Sequence, residues 1–411
     1  MQKTKRVIAI MLLLGVLAAF AACSQIGGAL DWAHGVGEQI RDGILAAIPQ
    51  KVDWDTAPGD MSEISTPNNT PVTPPSRHYY NRLTARQQHA YLALLEHMPD
   101  FPERIEIPPI DSEALAVVVE AYSYDNPAQF NLGESYTLMT QGTKCYFRPD
   151  YRFSKEKYDI ARQKTQLEIE KIVKTIPAYG SDYEKELAVH NLLAERIVYQ
   201  NKSLAYEATA YGALVLGKAA CEGYSRAGKL LLEALGVEAV LTTGDATNSS
   251  GKTEAHMWNT VKVDGAWYQL DLTWDDTGDG QRYDYFNVTD KELRQTHNLN
   301  GSRISCTGTE ANYFRKEGLY FESYNNNTRD AISAALGRNV KTGVYRVDVR
   351  FSSGDALLEA KERLTNSKTG DIYRMLKTAA IGAKEPIVTN KTRYYLNEQM
   401  GTIRFLAEPA A

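Results

Sequence analysis

The sequence predicts a fold of helices packed with antiparallel strands. Apolar residues recur at i, i+3, i+4 spacing in several segments, the mark of half-buried helices. Period-two alternation flanks a two-residue turn at Asp264 and Gly265, the mark of a β-hairpin. Hydrophobic residues make up 43% of the 411, enough to build a core and too many for a collagen-like or wholly disordered chain. That length suits roughly two to three domains.

Charge and cysteine content narrow the class of function. The formal net charge is −5, and loss of residues 1–22 would take Lys3, Lys5 and Arg6 with it. A chain that acidic is a poor match for nucleic acid, so no nucleic-acid partner is expected. Four cysteines (Cys23, Cys145, Cys221, Cys306) are too few for a disulfide scaffold and lack CxxC spacing. No metal-ligand pattern and no cofactor motif stands out.

The elements follow in chain order. Lys3, Lys5 and Arg6 precede an uncharged apolar run from Val7 to Ala22 that stops at Cys23. The run is short for a spanning helix of about 20 residues and suits the core of a signal peptide. Ala21, Ala22 and Cys23 resemble a bacterial lipobox, with Phe20 where Leu is usual. Residues 1–22 are thus expected to be a lipoprotein signal peptide, with Cys23 lipidated and the protein held on the outer face of the cytoplasmic membrane. An ordinary secreted protein is the alternative. Residues 23–78 dissolve into TAPGDMSEISTPNNTPVTPPS, too polar to offset ordering entropy, and read as a disordered tether.

Residues 79–180 read as a mixed helix and strand region. Leu83, Tyr91, Leu94, Leu95 and Met98 share a helical face, and VVVEAYS (117–123) suits either a strand or a helix end. YTLMT and KCYFRP are strands about Gly142, and a helix from about Lys155 to Lys174 stops before Pro177. A further helix is expected from Asp182 to Tyr199, inside a domain spanning 181–325. Residues 326–411 read as a small C-terminal α/β unit, with strand VYRVDVRF, one or two helices and hairpin RYYLNEQMGTIRFL.

The chemistry concentrates within 181–325. Tyr224, Ala227, Gly228, Leu231 and Leu235 follow helical spacing after Cys221, and Gly236 suits the position just past a helix end. Cys221 therefore sits at a helix N-terminus, where the dipole favours thiolate. VEAVLTT and AHMWNTVKV are strands, and AWYQLDLTW returns after the Asp264-Gly265 turn. A two-residue loop pairs Val263 with Ala266 and sets Asp271 opposite Trp258, on the His256 face. Diagonal neighbours there lie about 7–8 Å apart. Cys221, His256 and Asp271 then supply a nucleophile, a base and a group to orient it. A three-residue loop would put Asp271 on the other face.

AlaCysGluGlyTyrSer (220–225), HisMetTrpAsnThrVal (256–261) and TrpTyrGlnLeuAspLeuThrTrpAspAsp (267–276) resemble the three motifs of the transglutaminase-like superfamily, a papain-clan group. YSYDNPAQFNL (122–132) and KELAVHNLLAERIVY (185–199) resemble segments upstream of that domain in exported bacterial relatives. The resemblance covers roughly 182–290, about a quarter of the chain. It implies an α+β papain-like core, with the Cys helix packed on an antiparallel sheet. It also implies acyl transfer through a thioester, with Cys221, His256 and Asp271 in catalytic roles. The Cys221 N–H would be one oxyanion donor, and Tyr206 and Tyr211 are candidates for a second. Trp258 shares the His256 face and could line a groove.

Blander readings stand beside these. Cys221 could be an inert core thiol, or the domain could bind without cleaving. His190 reads as a core histidine. Cys145 and Cys306 read as two buried thiols in preference to a disulfide. Asp275, Thr277, Asp279 and Gly280 imitate a calcium loop, but Phe286 occupies the position that needs Glu, so a surface turn is expected. His34 and His297 have no partner that the sequence identifies. The expected function is an envelope-tethered peptidase or amidase acting on peptide or protein amides. A transglutaminase with an amine acceptor and a non-catalytic envelope binding module are the alternatives.

Overall fold

The computed structural model describes residues 77–201, 206–277, 280–299, 304–366 and 370–410. The expected signal peptide, Cys23, His34, nearly all of the expected tether and Asp279 lie outside them. The chain divides into two units, and one of them, residues 68–246 with 254–411, carries everything that follows. Within the described residues the other comprises Thr247–Thr253, where the Thr247 and Thr253 hydroxyls lie 2.8 Å apart.

The N-terminal region has its own core. Helix Ala85–His97 opens with a capping box between Thr84 and Gln87 and buries Ala90, Tyr91 and Leu94. The ambiguous VVVEAYS belongs to helix Ser112–Asp125. The Asp111 side chain caps its start, and Leu115, Val118, Ala121 and Tyr122 face inward at helical spacing. Strands β1 (Ile105–Ile107), β2 (Leu132–Gln141) and β3 (Lys144–Tyr151) form an antiparallel sheet in the order β1-β3-β2.

Helices Lys155–Thr175 and Asp182–Arg196 come next, capped by Ser154 and Ser181. The second ends three residues before the expected Tyr199. Ile197 is extended, and β4 (Val198–Tyr199) pairs in parallel with β5 (Lys218–Ala219). The β-branched pair Ile197 and Val198 suits that extended backbone better than a last helical turn.

Helix Cys221–Ala234 buries Cys221, Tyr224, Ala227, Leu231 and Leu232. It ends in a Schellman turn, with Val237 N donating to Leu232 O and Gly236 at φ +84°. It packs on a four-stranded sheet of β6 (Glu238–Thr247), β7 (Thr253–Val263), β8 (Ala266–Leu270) and β9 (His297–Leu299), ordered β8-β7-β6-β9. Asp264 and Gly265 take φ +50° and +86°, a type I′ turn, so Val263 pairs with Ala266 and Asn259 with Leu270. Two side chains stitch helix to sheet: Asn259 Nδ2 donates to Ser225 O at 3.0 Å, and Ser225 Oγ to Met257 O at 2.9 Å.

The C-terminal sheet holds β10 (Tyr320–Phe321), β11 (Arg346–Phe351), β12 (Ile387–Asn397) and β13 (Thr402–Pro409), ordered β10-β11-β13-β12. Helices Asn326–Lys341, Gly354–Thr365 and Asp371–Ala380 accompany it. One apolar cluster runs from Ile169 through Leu231 and Val261 to Phe405 and Ala407, so this sheet and the Cys221 helix share a core. The architecture is α+β. Among the described residues, no helix is long and apolar enough to cross a membrane.

Candidate active site

Cys221 is the first residue of its helix, with Ala220 as an N-cap that supplies no side-chain bond. The helix dipole there favours negative charge on sulfur. The thiol is 9% exposed, and Leu241, Met257 and Tyr124 surround it. Tyr124 comes from the N-terminal region, which Arg226 ties to the Cys221 helix through Ser123. Sγ donates to Glu222 Oε2 at 3.3 Å, so an adjacent carboxylate opposes the dipole at this atom.

His256 lies on β7, within electrostatic reach of the thiol. Its Nε2 meets Asp271 Oδ2 at 2.7 Å, and the Cys221 side chain is near enough to contribute to the charge state of the ring. With Nε2 committed to the carboxylate, Nδ1 is the nitrogen left for sulfur. Burial by itself would lower the His256 pKa, but the charge and hydrogen bond of Asp271, with Cys221 behind them, push it up to about 10. The imidazole is therefore held as imidazolium at neutral pH.

Asp271 stands where the chain leaves β8, and its side chain is fully buried. Oδ1 accepts from Thr273 N at 3.0 Å and from Trp274 N at 3.2 Å. Oδ2 accepts from two imidazoles, His256 and His297, the second at 3.1 Å. Burial would raise its pKa, but His256 and then His297 hold it well below the usual carboxylate range.

Sequence reasoning left His297 without a partner, and the structure corrects that. β9 pairs with β6, setting His297 beside Ala246 and carrying the imidazole to the back of Asp271. A three-residue strand has too few positions for a periodic pattern, so no signal in the sequence could have found it. His256, Asp271 and His297 each offer a ligand atom within 4.8 Å of the others, close enough to hold a metal ion. Both Nε2 atoms are already spent on Asp271, so an ion could enter only by displacing both ring protons and parting His256 from its carboxylate.

The remaining candidates sort out by packing. Trp258 is completely buried and lines no groove. It backs the His256 ring at 6.1 Å and anchors its own Nε1 on Gln269 Oε1 at 2.7 Å. Trp274, partly exposed, covers His256 at 5.7 Å and His297 at 4.6 Å. The segment of Tyr206 and Tyr211 runs beside the Cys221 helix, where Ala220 N donates to Glu207 O. Both rings pack into an aromatic cluster with Phe130, Phe153 and Tyr158.

Asp275 overturns the expected surface turn. It is fully buried, bonds His190 Nε2 at 3.1 Å and accepts from Tyr285 N at 3.0 Å. His190 is the core histidine expected, stacked on Tyr283 at 5.2 Å. Cys145 and Cys306 are both buried and free, as two thiols. Burial and the neighbouring Asp290 push the Cys306 thiol well up, away from reactivity.

Residues 170–272 match the family model of the transglutaminase-like superfamily. The chain carries a transglutaminase-like domain. The matched span closes one residue after Asp271, so it contains Cys221, His256 and Asp271 and leaves out His297. Two solved structures are similar in part. One, described as a cysteine protease from Cytophaga hutchinsonii, has 19% identity and a TM-score of 0.23 over 28% of this chain and 37% of its own. The other, described as a TGase, has 18% identity and a TM-score of 0.24 over 42% of this chain and 52% of its own. The chain thus spans about half or less of either structure. No curated protein matches it. Members of the transglutaminase-like superfamily are usually cysteine peptidases or acyltransferases, and the site here has the residue types for that chemistry.

Proposed function

We propose that the protein hydrolyses peptide or protein amides at the cell envelope, with Cys221 as nucleophile, His256 as acid and base, and Asp271 as the group that orients His256. The observation that carries this reading is the His256 imidazole, bonded to the buried Asp271 carboxylate at 2.7 Å, with Cys221 at its helix N-terminus close enough to help raise the pKa of the ring. In the first half-reaction the Cys221 thiolate attacks the amide carbonyl carbon, and the oxyanion forms against the Cys221 N–H at the helix start. The C–N bond then breaks, His256 gives its proton to the leaving amine, and a thioester remains. In the second half, His256 takes a proton from water as it attacks the thioester. The carboxylic acid leaves and the thiolate returns. Water is the default acceptor at a site that does not exclude it.

The test is to incubate the purified chain and its Cys221→Ala variant with a diverse peptide mixture and read the products by mass spectrometry. New carboxyl termini or deamidated side chains made only by the wild type support hydrolysis. Products joined through an added amine would make it a transglutaminase, and absence of any Cys221-dependent product would favour a binding module.

Tethering through a lipid on Cys23 belongs to the same proposal, supported by the basic residues, the apolar run and the small residues before Cys23. Cells fed a palmitate analogue should label the wild type and leave Cys23→Ser unlabelled. An unlabelled wild type would refute the tether.

A further inference from the structure

The Asp271 carboxylate is shared. Oδ2 accepts from His256 Nε2 at 2.7 Å and from His297 Nε2 at 3.1 Å, while the His297 Nδ1 lies 2.8 Å from Thr296 Oγ1. A chain of hydrogen bonds therefore runs from Thr296 through His297 and Asp271 to His256. The Tyr285 ring lies 5.6 Å from the His297 ring. We propose that His297 is a positioning residue for the reaction, a second imidazole that fixes the Asp271 carboxylate so that the carboxylate can fix His256. This rests on the catalytic reading of Cys221, His256 and Asp271.

The geometry assigns the proton. A carboxylate only accepts, so His297 donates from Nε2; burial favours the neutral ring, and in that form its Nδ1 accepts from the Thr296 hydroxyl. His297 is then neutral, one fixed tautomer, in a completely buried position. The titratable groups that face it are Asp271, His256 and Tyr285, and the indoles of Trp258 and Trp274 cover its ring. Burial lowers its pKa, and the second cation near Asp271 is thereby avoided while the hydrogen bond is kept. Four donors fill the lone pairs of Asp271, from Thr273, Trp274, His256 and His297, so the carboxylate has one orientation and stays ionised.

The experiment compares wild type, His297→Phe and His297→Gln in the full chain. The readout is the rate of Cys221 alkylation by iodoacetamide against pH, with the imidazole signals of 15N-histidine-labelled protein recorded in parallel. Phe keeps ring volume and removes the donor, whereas Gln can restore an N–H to Asp271. We expect His297→Phe to move the acid limb of the profile upward by about one pH unit, as loss of a charge-assisted bond requires, and His297→Gln to return it most of the way. A Phe variant whose limb and His256 signals match those of wild type would overturn the proposal. Should the Phe variant fail to fold, the wild-type spectrum still decides, because a His297 protonated on Nδ1 or on both nitrogens contradicts it. An inert wild-type Cys221 would instead sink the catalytic reading on which the proposal rests.

Discussion

At the scale of single residues, the site is a set of buried charges that survive because each is paired. Asp271 has no exposed side-chain surface, yet it stays ionised because two imidazoles and two backbone N–H groups donate to it. Removing it would strand His256 as a buried, unpaired cation. Asp271→Ala should therefore cost about 3–5 kcal/mol of stability, read by denaturant unfolding. A cost below about 1 kcal/mol would mean that the pairing is not what holds this corner together. Asp275 makes the opposite case. Burial pushes its pKa up to about 7 against the pull of His190, so the folded state keeps a proton that the unfolded chain has lost. A raised acid contributes stability that is full below the unfolded value and lost as pH rises through the folded one. The melting temperature should thus fall between about pH 4 and 7 on this account. In Asp275→Asn, where Nδ2 can donate to His190 and Oδ1 accept from Tyr285, that part of the pH dependence should vanish. Parallel pH curves for the two proteins would contradict the assignment.

At the scale of elements, the helix that carries Cys221 is placed by close contact. A Cβ at Gly223 would sit 2.3 Å from the Glu207 carbonyl oxygen and 2.6 Å from the Ala219 Cβ, and neither is the far end of a flexible side chain. Gly223→Ala must push the first helical turn away from the 206–209 segment. It should destabilise the protein by about 1–3 kcal/mol and slow Cys221 alkylation together. Gly236→Ala, at φ +84° and with open space for a Cβ, should cost about 1 kcal/mol and leave alkylation as it was. Equal effects of the two on alkylation would show that helix placement is not what prepares the thiol. This helix and the hairpin were legible in the sequence because their signals are local: the apolar spacing after Cys221, the Gly236 stop, and the Asp264-Gly265 turn that fixes the register. The short strand bearing His297 and the burial of Asp275 were not legible, since both depend on pairing partners more than twenty residues away.

At the scale of the whole molecule, the transglutaminase-like domain does not close its core alone. The apolar cluster that includes Leu231 and Leu270 extends to Val349, Phe405 and Ala407, and Met400 packs in the cluster of Trp258, Tyr285 and Leu299. Asp284 is also held by Asn397 at 3.0 Å and Thr402 at 2.8 Å, which joins the β12-β13 hairpin to the loop behind the site. The sequence marked residues 326–411 as strand, helices and hairpin but not what they pack against, because which apolar faces meet is decided by tertiary contacts. A chain ending at residue 325 should lose cooperative unfolding, followed by circular dichroism during heating. A sharp transition at the wild-type temperature would mean that the two parts fold independently. The N-terminal region contributes in the same way, through Tyr124 beside the thiol and Arg226 on Ser123.

The central claim is that His256 activates Cys221, against the adjacent Glu222 carboxylate and with the helix dipole. The most direct test is the rate of iodoacetamide labelling at Cys221 across pH in the intact protein, compared with His256→Ala and with Cys145 and Cys306 as internal references. The account predicts fast labelling of Cys221 near neutral pH, far ahead of the two buried thiols, and a loss of about 10²-fold or more in His256→Ala. Labelling of Cys221 that is slow in the wild type, or unchanged without His256, would contradict it.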